Sequence, residues 1–173
     1  NDRGLSLTPS DMLKGYLLAN ITDDNQRTRA GGIWKKRVAE LNEVGKEEDA
    51  DAIKSWLRSQ YADTIRERKR GASPLDFDLI GTEFHRWTRA NEERLGLESS
   101  SAFAKFIERD FAFYTGQYLA LRNAAETLTP GLECVHYNDQ NDFTLQYPLL
   151  LAPLRMGDSD KDILRKLRVV AAY

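Results

Sequence analysis

Apolar residues recur along this chain at three- and four-residue steps with polar residues between them, a pattern that predicts amphipathic helices almost throughout. The opening helix is the plainest. Thr8-Pro9-Ser10-Asp11 supplies an N-cap threonine, a proline at the first helical position and an acid at the third. Met12, Leu13, Tyr16, Leu17 and Ile21 then share one face. A second helix is expected to start after Thr22 or Asp23 and to carry Ile33, Trp34, Val38, Leu41 and Val44. Gly31-Gly32 lies inside it at a cost of about 1 kcal/mol per glycine relative to alanine, and close packing of a neighbour is one reason to keep the pair. A third, with Ala50, Ile53, Trp56, Leu57 and Tyr61, is expected to run toward Ile65 and to close on the basic stretch 66–70, where the helix dipole favours cations.

Ser73-Pro74-Leu75-Asp76 repeats the first capping pattern and predicts a fourth helix with Phe77, Ile80, Phe84, Trp87 and Leu95 inward, stopped by Gly96 and followed by the apolar Leu97. Ser99, Ser100 and Ser101 cap the longest helix, along which Phe103, Phe106, Ile107, Phe111, Tyr114, Tyr118, Leu121 and Ala125 run up to Thr129-Pro130-Gly131. The pattern then lapses. Residues 132–138 alternate loosely around Cys134, Val135 and Tyr137, which fits a short strand or an extended loop. Residues 145–156 read as helical, with Pro148 and Pro153 at starts or kinks. Ser159-Asp160-Lys161-Asp162 opens a last helix bearing Ile163, Leu164, Leu167 and Val170. The sum is an all-α domain, 1–173, of about seven helices in an irregular bundle, with one short extended segment near 132–138 as its only exception.

Composition narrows the function classes. A 173-residue chain is long enough for one well-buried core, and a net charge of -2 does not mark a generally polyanion-seeking protein. A single cysteine, Cys134, removes any intrachain disulfide and any cysteine-based zinc finger, and fits a reducing, cytoplasmic setting. No apolar run approaches the roughly 20 residues of a membrane span. The chain opens without an initiator Met and breaks off inside an apolar run at Tyr173, so it is expected to be a piece of a larger protein.

Candidate chemistry is sparse. His136 stands near Asp139, Asn141 and Asp142, an imaginable metal site, although one histidine among polar loop residues is more simply turn chemistry. His85 lies between Phe84 and Trp87 without a nucleophile partner and reads as structural. Two basic runs offer phosphate contacts: Lys35-Lys36-Arg37, and Arg66, Arg68, Lys69 and Arg70. Each has an acid beside it, the mark of a solvated helix face. Trp34, Trp56, Trp87, Phe103, Phe106 and Phe111 keep helical spacing and belong in a core. No catalytic residues and no metal or cofactor ligands follow from these patterns alone.

The first fourteen residues carry a more specific signal. Asn1, Gly4, Leu7, Thr8, Asp11, Leu13 and Lys14 meet the pattern Asn-x-x-Gly-x-x-Leu-Thr/Ser-x-x-Asp-x-Leu-Lys, which resembles a motif of the GmrSD-type restriction endonuclease family of bacterial defence proteins. Phe84-His85-Arg86-Trp87 and 147–153 are similar more weakly. The resemblance implies a parent in three parts. A ParB/sulfiredoxin-like domain with an Asp-Gly-Gln-Gln-Arg motif, tied to nucleotide hydrolysis, comes first; a helical middle follows; many members end in an HNH-type nuclease. Residues 1–14 would be the tail-end motif of the first domain, with Asn1, Arg3 and Gly4 nearest its nucleotide. The chain holds neither the Asp-Gly-Gln-Gln-Arg motif nor a His-x-x-Pro nuclease signature. It is then expected to bridge the nucleotide-sensing and nuclease domains, with nucleotide triphosphate, divalent metal and DNA handled by the parent and a homodimer compatible with it. The alternatives are a helical DNA-binding module working through residues 66–70, or an all-α adaptor unrelated to restriction.

Overall fold

A computed structural model describes residues 6–63 and 75–173. It is all-helical among the described residues. The elements are α1 (Pro9–Ala19), α2 (Asp24–Val44), α3 (Glu48–Tyr61), α4 (Asp76–Ala90), α5 (Ser100–Lys105), a π-helical turn (Phe106–Phe111), α6 (Ala112–Glu126), α7 (Glu133–Gln140), α8 (Gln146–Leu151) and α9 (Asp160–Ala171). No described helix is long and apolar enough to cross a membrane.

Helix starts follow the predicted cap chemistry. The Thr8 hydroxyl accepts from the Asp11 amide while the Asp11 carboxylate accepts from the Thr8 amide, a complete capping box. Asp23, Ser99 and Ser159 cap α2, α5 and α9 in the same way from one side. Past α4, the Leu97 amide reaches the Glu92 carbonyl and the Gly96 amide that of Glu93, with Gly96 at φ +69° and Leu97 buried, which is a Schellman stop.

The continuous rod 100–126 is the mast of the bundle. Its stripe Phe103, Phe106, Ile107, Phe111, Tyr114, Tyr118, Leu121 and Ala125 is buried along its whole length. The π turn inserts one residue, so everything downstream is rotated by about 100° relative to an uninterrupted helix. Upstream of it the rod meets α1 and α2; downstream it adds α3, α7 and α8. Trp34 of α2 stacks on Phe111 at 4.1 Å and 7°, and Trp56 of α3 lies against both Phe106 and Phe111.

Four expectations are corrected. Residues 133–140 form helix α7 rather than an extended segment: Leu132, Val135, His136 and Asp139 turn inward at helical spacing while Cys134 and Tyr137 are exposed. Helix α4 begins at Asp76 with no side-chain cap at Leu75, two residues later than a Ser73 cap would set it; Ser73 and Pro74 lie outside the described residues. Leu95 stands in the turn after α4, and Leu164 is largely exposed on α9.

Close approach does not occur at Gly31-Gly32. A Cβ at Gly31 would only touch Leu18, and Gly32 faces open space. It occurs at Gly116 and Gly81. Arg37 of α2 donates Nη1 to the Ala112 carbonyl at 2.9 Å, and Arg58 of α3 donates Nε to the Phe77 carbonyl at 3.0 Å. In each case the glycine is four residues beyond the accepting carbonyl. Because a helical Cβ tilts toward the N-terminus, the Cβ of residue i+4 overhangs carbonyl i, and its absence lets a guanidinium in. A Cβ at Gly116 would stand 2.6 Å from Arg37 Nη1, and one at Gly81 would collide with Arg58 Nη2.

Gly116→Ala should therefore lower stability in urea by about 1 kcal/mol, the displaced charged hydrogen bond outweighing a helix-propensity gain of about 1 kcal/mol. In an Arg37→Met background the same change should raise stability by about 1 kcal/mol. Additive effects of the two substitutions would refute the pairing.

Candidate functional site

The densest polar constellation sits where α3, α6, α7 and α8 meet. Arg122 of α6 is its centre. One nitrogen lies 3.2 Å from Glu48 Oε1 and 3.8 Å from Glu126 Oε1; the other lies 3.2 Å from Asp139 Oδ1 and donates to the Tyr147 hydroxyl at 3.0 Å. The Tyr118 hydroxyl donates to Glu48 Oε2 at 2.7 Å, and the Tyr147 hydroxyl donates to Asp139 Oδ1 at 2.8 Å. The spacing explains the convergence. Tyr118, Arg122 and Glu126 are at i, i+4 and i+8 on one face of α6, and Glu48 opens α3 where its charge suits the helix N-terminus.

The two ions at the centre are largely withdrawn from water, with 18% of the Arg122 side chain and 12% of the Glu48 side chain exposed. Burial pushes the Tyr118 and Tyr147 hydroxyls up, reinforced at Tyr118 by the Glu48 carboxylate it serves and at Tyr147 by Asp139; Tyr147 reaches about 12. At Arg122 burial works against the charge, but the Tyr147 hydroxyl and Glu48 outweigh it and raise the guanidinium further. Both shifts keep the tyrosine hydroxyls protonated, and the third keeps the guanidinium charged. Chemically the arrangement is a lock: one guanidinium is shared among the carboxylates of Glu48, Glu126 and Asp139 and the Tyr147 hydroxyl, and it ties four helices together.

Other polar side chains are used the same way. Gln60 Nε2 donates to the Leu151 carbonyl at 3.1 Å, and the Tyr114 hydroxyl lies within hydrogen-bond distance of Gln60 Oε1 and the Leu154 carbonyl, which ties α3 and α6 to the end of α8. Arg94 reaches the Tyr61 carbonyl and lies 2.5 Å from Asp76 Oδ2, whose other oxygen accepts from Trp87 Nε1 at 2.9 Å. That clasp joins the end of α3 to the start of α4. Burial works to raise the Asp76 carboxyl, but the hydrogen bonds from Arg94 and Trp87 prevail and hold it below the usual carboxylate range.

The predicted site residues fare unevenly. Asn1, Arg3 and Gly4, and Arg66, Arg68, Lys69 and Arg70, lie outside the described residues. Of the second basic run, Lys35 and Lys36 are exposed, but Arg37 turns inward onto α6 and is not available to a phosphate. His136, Asp139, Asn141 and Asp142 are not brought together on a common point. His136 Nδ1 lies 2.5 Å from the Ala125 carbonyl, Asp139 is bound to Arg122 and Tyr147, and Asp142 occupies a left-handed turn at φ +56°. Among the described residues, no group of three or more His, Cys, Asp or Glu side chains is placed to hold a metal. His85 is half-buried on α4, its Nδ1 has no hydrogen bond among the described residues, and burial lowers its pKa. Sequence reasoning passed over Arg122 and Glu48, and noticed Asp139 only as a neighbour of His136, because the three belong to three separate helices.

No family model, no curated protein and no solved structure matches the chain.

Arg122→Met should cost about 3 kcal/mol in a denaturant titration, because Glu48 keeps the Tyr118 hydroxyl but is left largely out of water without its counter-charge. Pairing it with Glu48→Gln should recover a substantial part of the loss. In alkali, a tyrosine whose folded pKa lies above its unfolded value of about 10 favours folding below that value. That contribution is lost as pH climbs toward 12, where Tyr147 and Tyr61 ionise in the folded protein. Tyrosinate absorbance and loss of helical ellipticity should therefore rise together between about pH 10 and 12.

Proposed function

We propose that this chain is the rigid helical bridge of a GmrSD-like, modification-dependent restriction or phage-defence protein of the bacterial cytoplasm. It holds a nucleotide-sensing domain and an HNH-type nuclease domain in a defined geometry. Nucleotide triphosphate, divalent metal and DNA are engaged by those flanking domains of the same chain, and the bridge itself is not catalytic.

The observation that carries this reading is how the arginines are used. Arg37, Arg58, Arg94 and Arg122 each join elements distant in sequence, α2 to α6, α3 to α4, α3 to the turn after α4, and α6 to α3, α7 and α8. A segment built that way resists shear between its ends, which is the property an interdomain bridge needs. The helical half of the opening motif supports the reading from the other side. Thr8 and Asp11 close the capping box and Leu13 is fully buried, so the motif fixes where α1 begins and which face it turns to the core.

The reading is tested in the parent protein by replacing Asn1 and Arg3 with alanine. Nucleotide hydrolysis and restriction of modified DNA should both fall by about tenfold or more, the scale of one lost hydrogen bond to a charged group, while the melting temperature of the helical part stays put. Hydrolysis and restriction at wild-type levels would rule the role out.

A further inference from the structure

The large apolar side chains left exposed are distributed unevenly. Among the described residues they are Leu7 and otherwise only residues past 127, with Leu128, Tyr137, Leu149, Leu164 and Val169 among them. Helix α9 holds the part of this surface that is also charged. Its outward positions Lys161, Leu164, Arg165, Arg168, Val169 and Ala172 fall at i, i+3, i+4, i+7, i+8 and i+11, one continuous stripe, and border an open groove of about 1020 Å³. At about 100° per residue, the three cations run down the middle of the stripe, with Leu164 along one edge and Val169 along the other.

We infer that this face of α9 docks an acidic amphipathic helix from a partner protein, independently of any bridging role. Charge complementarity sets the sign of the partner. Arg165 is 71% exposed and lies 3.4 Å from Asp162, a pair in open solvent that is worth little. Lys161 and Arg168 form no ion pair among the described residues, whereas Lys166, on the inner side of the helix, is spent on Asp158 and the Pro153 carbonyl. Glu133, which shares the field of Arg168, is held by the backbone amides of Gly131 and of Glu133 itself. A cationic ridge between apolar edges suits carboxylates flanked by aliphatic side chains, the pattern of a helix laid into a groove. The shape is fixed in advance on one side: a Cβ at Gly131 would touch Leu164 at 3.7 Å and Arg168 at 3.8 Å, so the turn there buttresses both.

Other occupants fit less well. A two-fold axis through the middle of the stripe, between 166 and 167, sets Arg165 of one copy against Arg168 of the other. The acidic start of α3, Glu47–Asp51, exposes no large apolar side chain with which a second copy could meet Leu164 and Val169. A nucleic acid backbone needs donors along the track, and here Leu164, Val169 and Tyr173 stand in their place.

The probe is a synthetic, fluorescein-labelled helical peptide of glutamate, leucine and alanine with its leucines at i, i+3, i+4 and i+7, titrated with the whole chain and read by anisotropy. Saturable binding is expected, about tenfold or more tighter than that of a scrambled peptide of the same composition. Arg165→Glu and Leu164→Ser should each weaken it about tenfold with the melting temperature unchanged, the first through charge and the second through lost apolar contact. Lys36→Glu, on the exposed side of α2, should leave it unaltered. Equal binding of the scrambled peptide, or a loss confined to Arg165→Glu, would reduce the face to a patch of charge and overturn the inference. So would tighter binding of a DNA duplex or of phosphatidylserine vesicles through the same residues, self-association that Leu164→Ser abolishes, or no saturable binding at all.

Discussion

Phe111 is the point on which the bundle turns. It lies inside the π turn of the central rod, stacked flat against Trp34 and edge-on to Trp56, with all three rings essentially excluded from water. An isolated π turn is strained relative to α-helix, and such turns persist where packing over-determines them. Here the packing is two indoles from two different helices. Without the extra residue the rod could not present Phe103 and Phe106 to one set of neighbours and Tyr114, Tyr118 and Arg122 to another. The aromatic contact and the Arg122 lock are thus two consequences of a single register choice.

That choice also explains why the arginines carry so much of the inter-helix specificity. Apolar contacts between helices are tolerant of sliding, because one aliphatic ridge packs almost as well as the next. A guanidinium donating to one particular carbonyl is not. At Gly81 and Gly116 the sequence gives up helix propensity to admit such a donor, and at Arg122 it buries an ion pair, which is weak evidence for net stability but strong evidence for a fixed arrangement. The cross-links define where the helices stop relative to each other, while the core defines that they pack at all.

Much of this was legible beforehand, for a reason that differs from element to element. The starts of α1, α2, α5 and α9 were readable because capping is local chemistry over four residues, and the buried stripe of the rod because it repeats often enough to outweigh interruptions. The π turn left a trace, the five-residue step from Phe106 to Phe111, but Ile107 fills the four-residue step and hides it. Helix α7 was misread because two of its inward positions, His136 and Asp139, are polar: a hydrophobicity pattern records only Leu132 and Val135, and the alternation around Cys134 and Tyr137 then looks extended. The Arg122 lock was not legible at all, since its members are separated by up to 99 positions, from Glu48 to Tyr147, and nothing in a linear pattern says which acid meets which base.

The same distinction bears on how function is to be sought in a chain of this kind. Polar residues that a linear reading marks as candidate chemistry, such as Arg37, His136 and Asp139, are already satisfied by the fold once their partners are known. Others stay buried without a hydrogen bond among the described residues, such as Ser10 Oγ, Trp56 Nε1 and Gln146 Oε1, and nothing in a linear pattern sets them apart from their neighbours. A buried donor without a partner costs about 1–3 kcal/mol. The fold carries that cost at Ser10 and Trp56, whose Oγ and Nε1 are buried without a partner among the described residues.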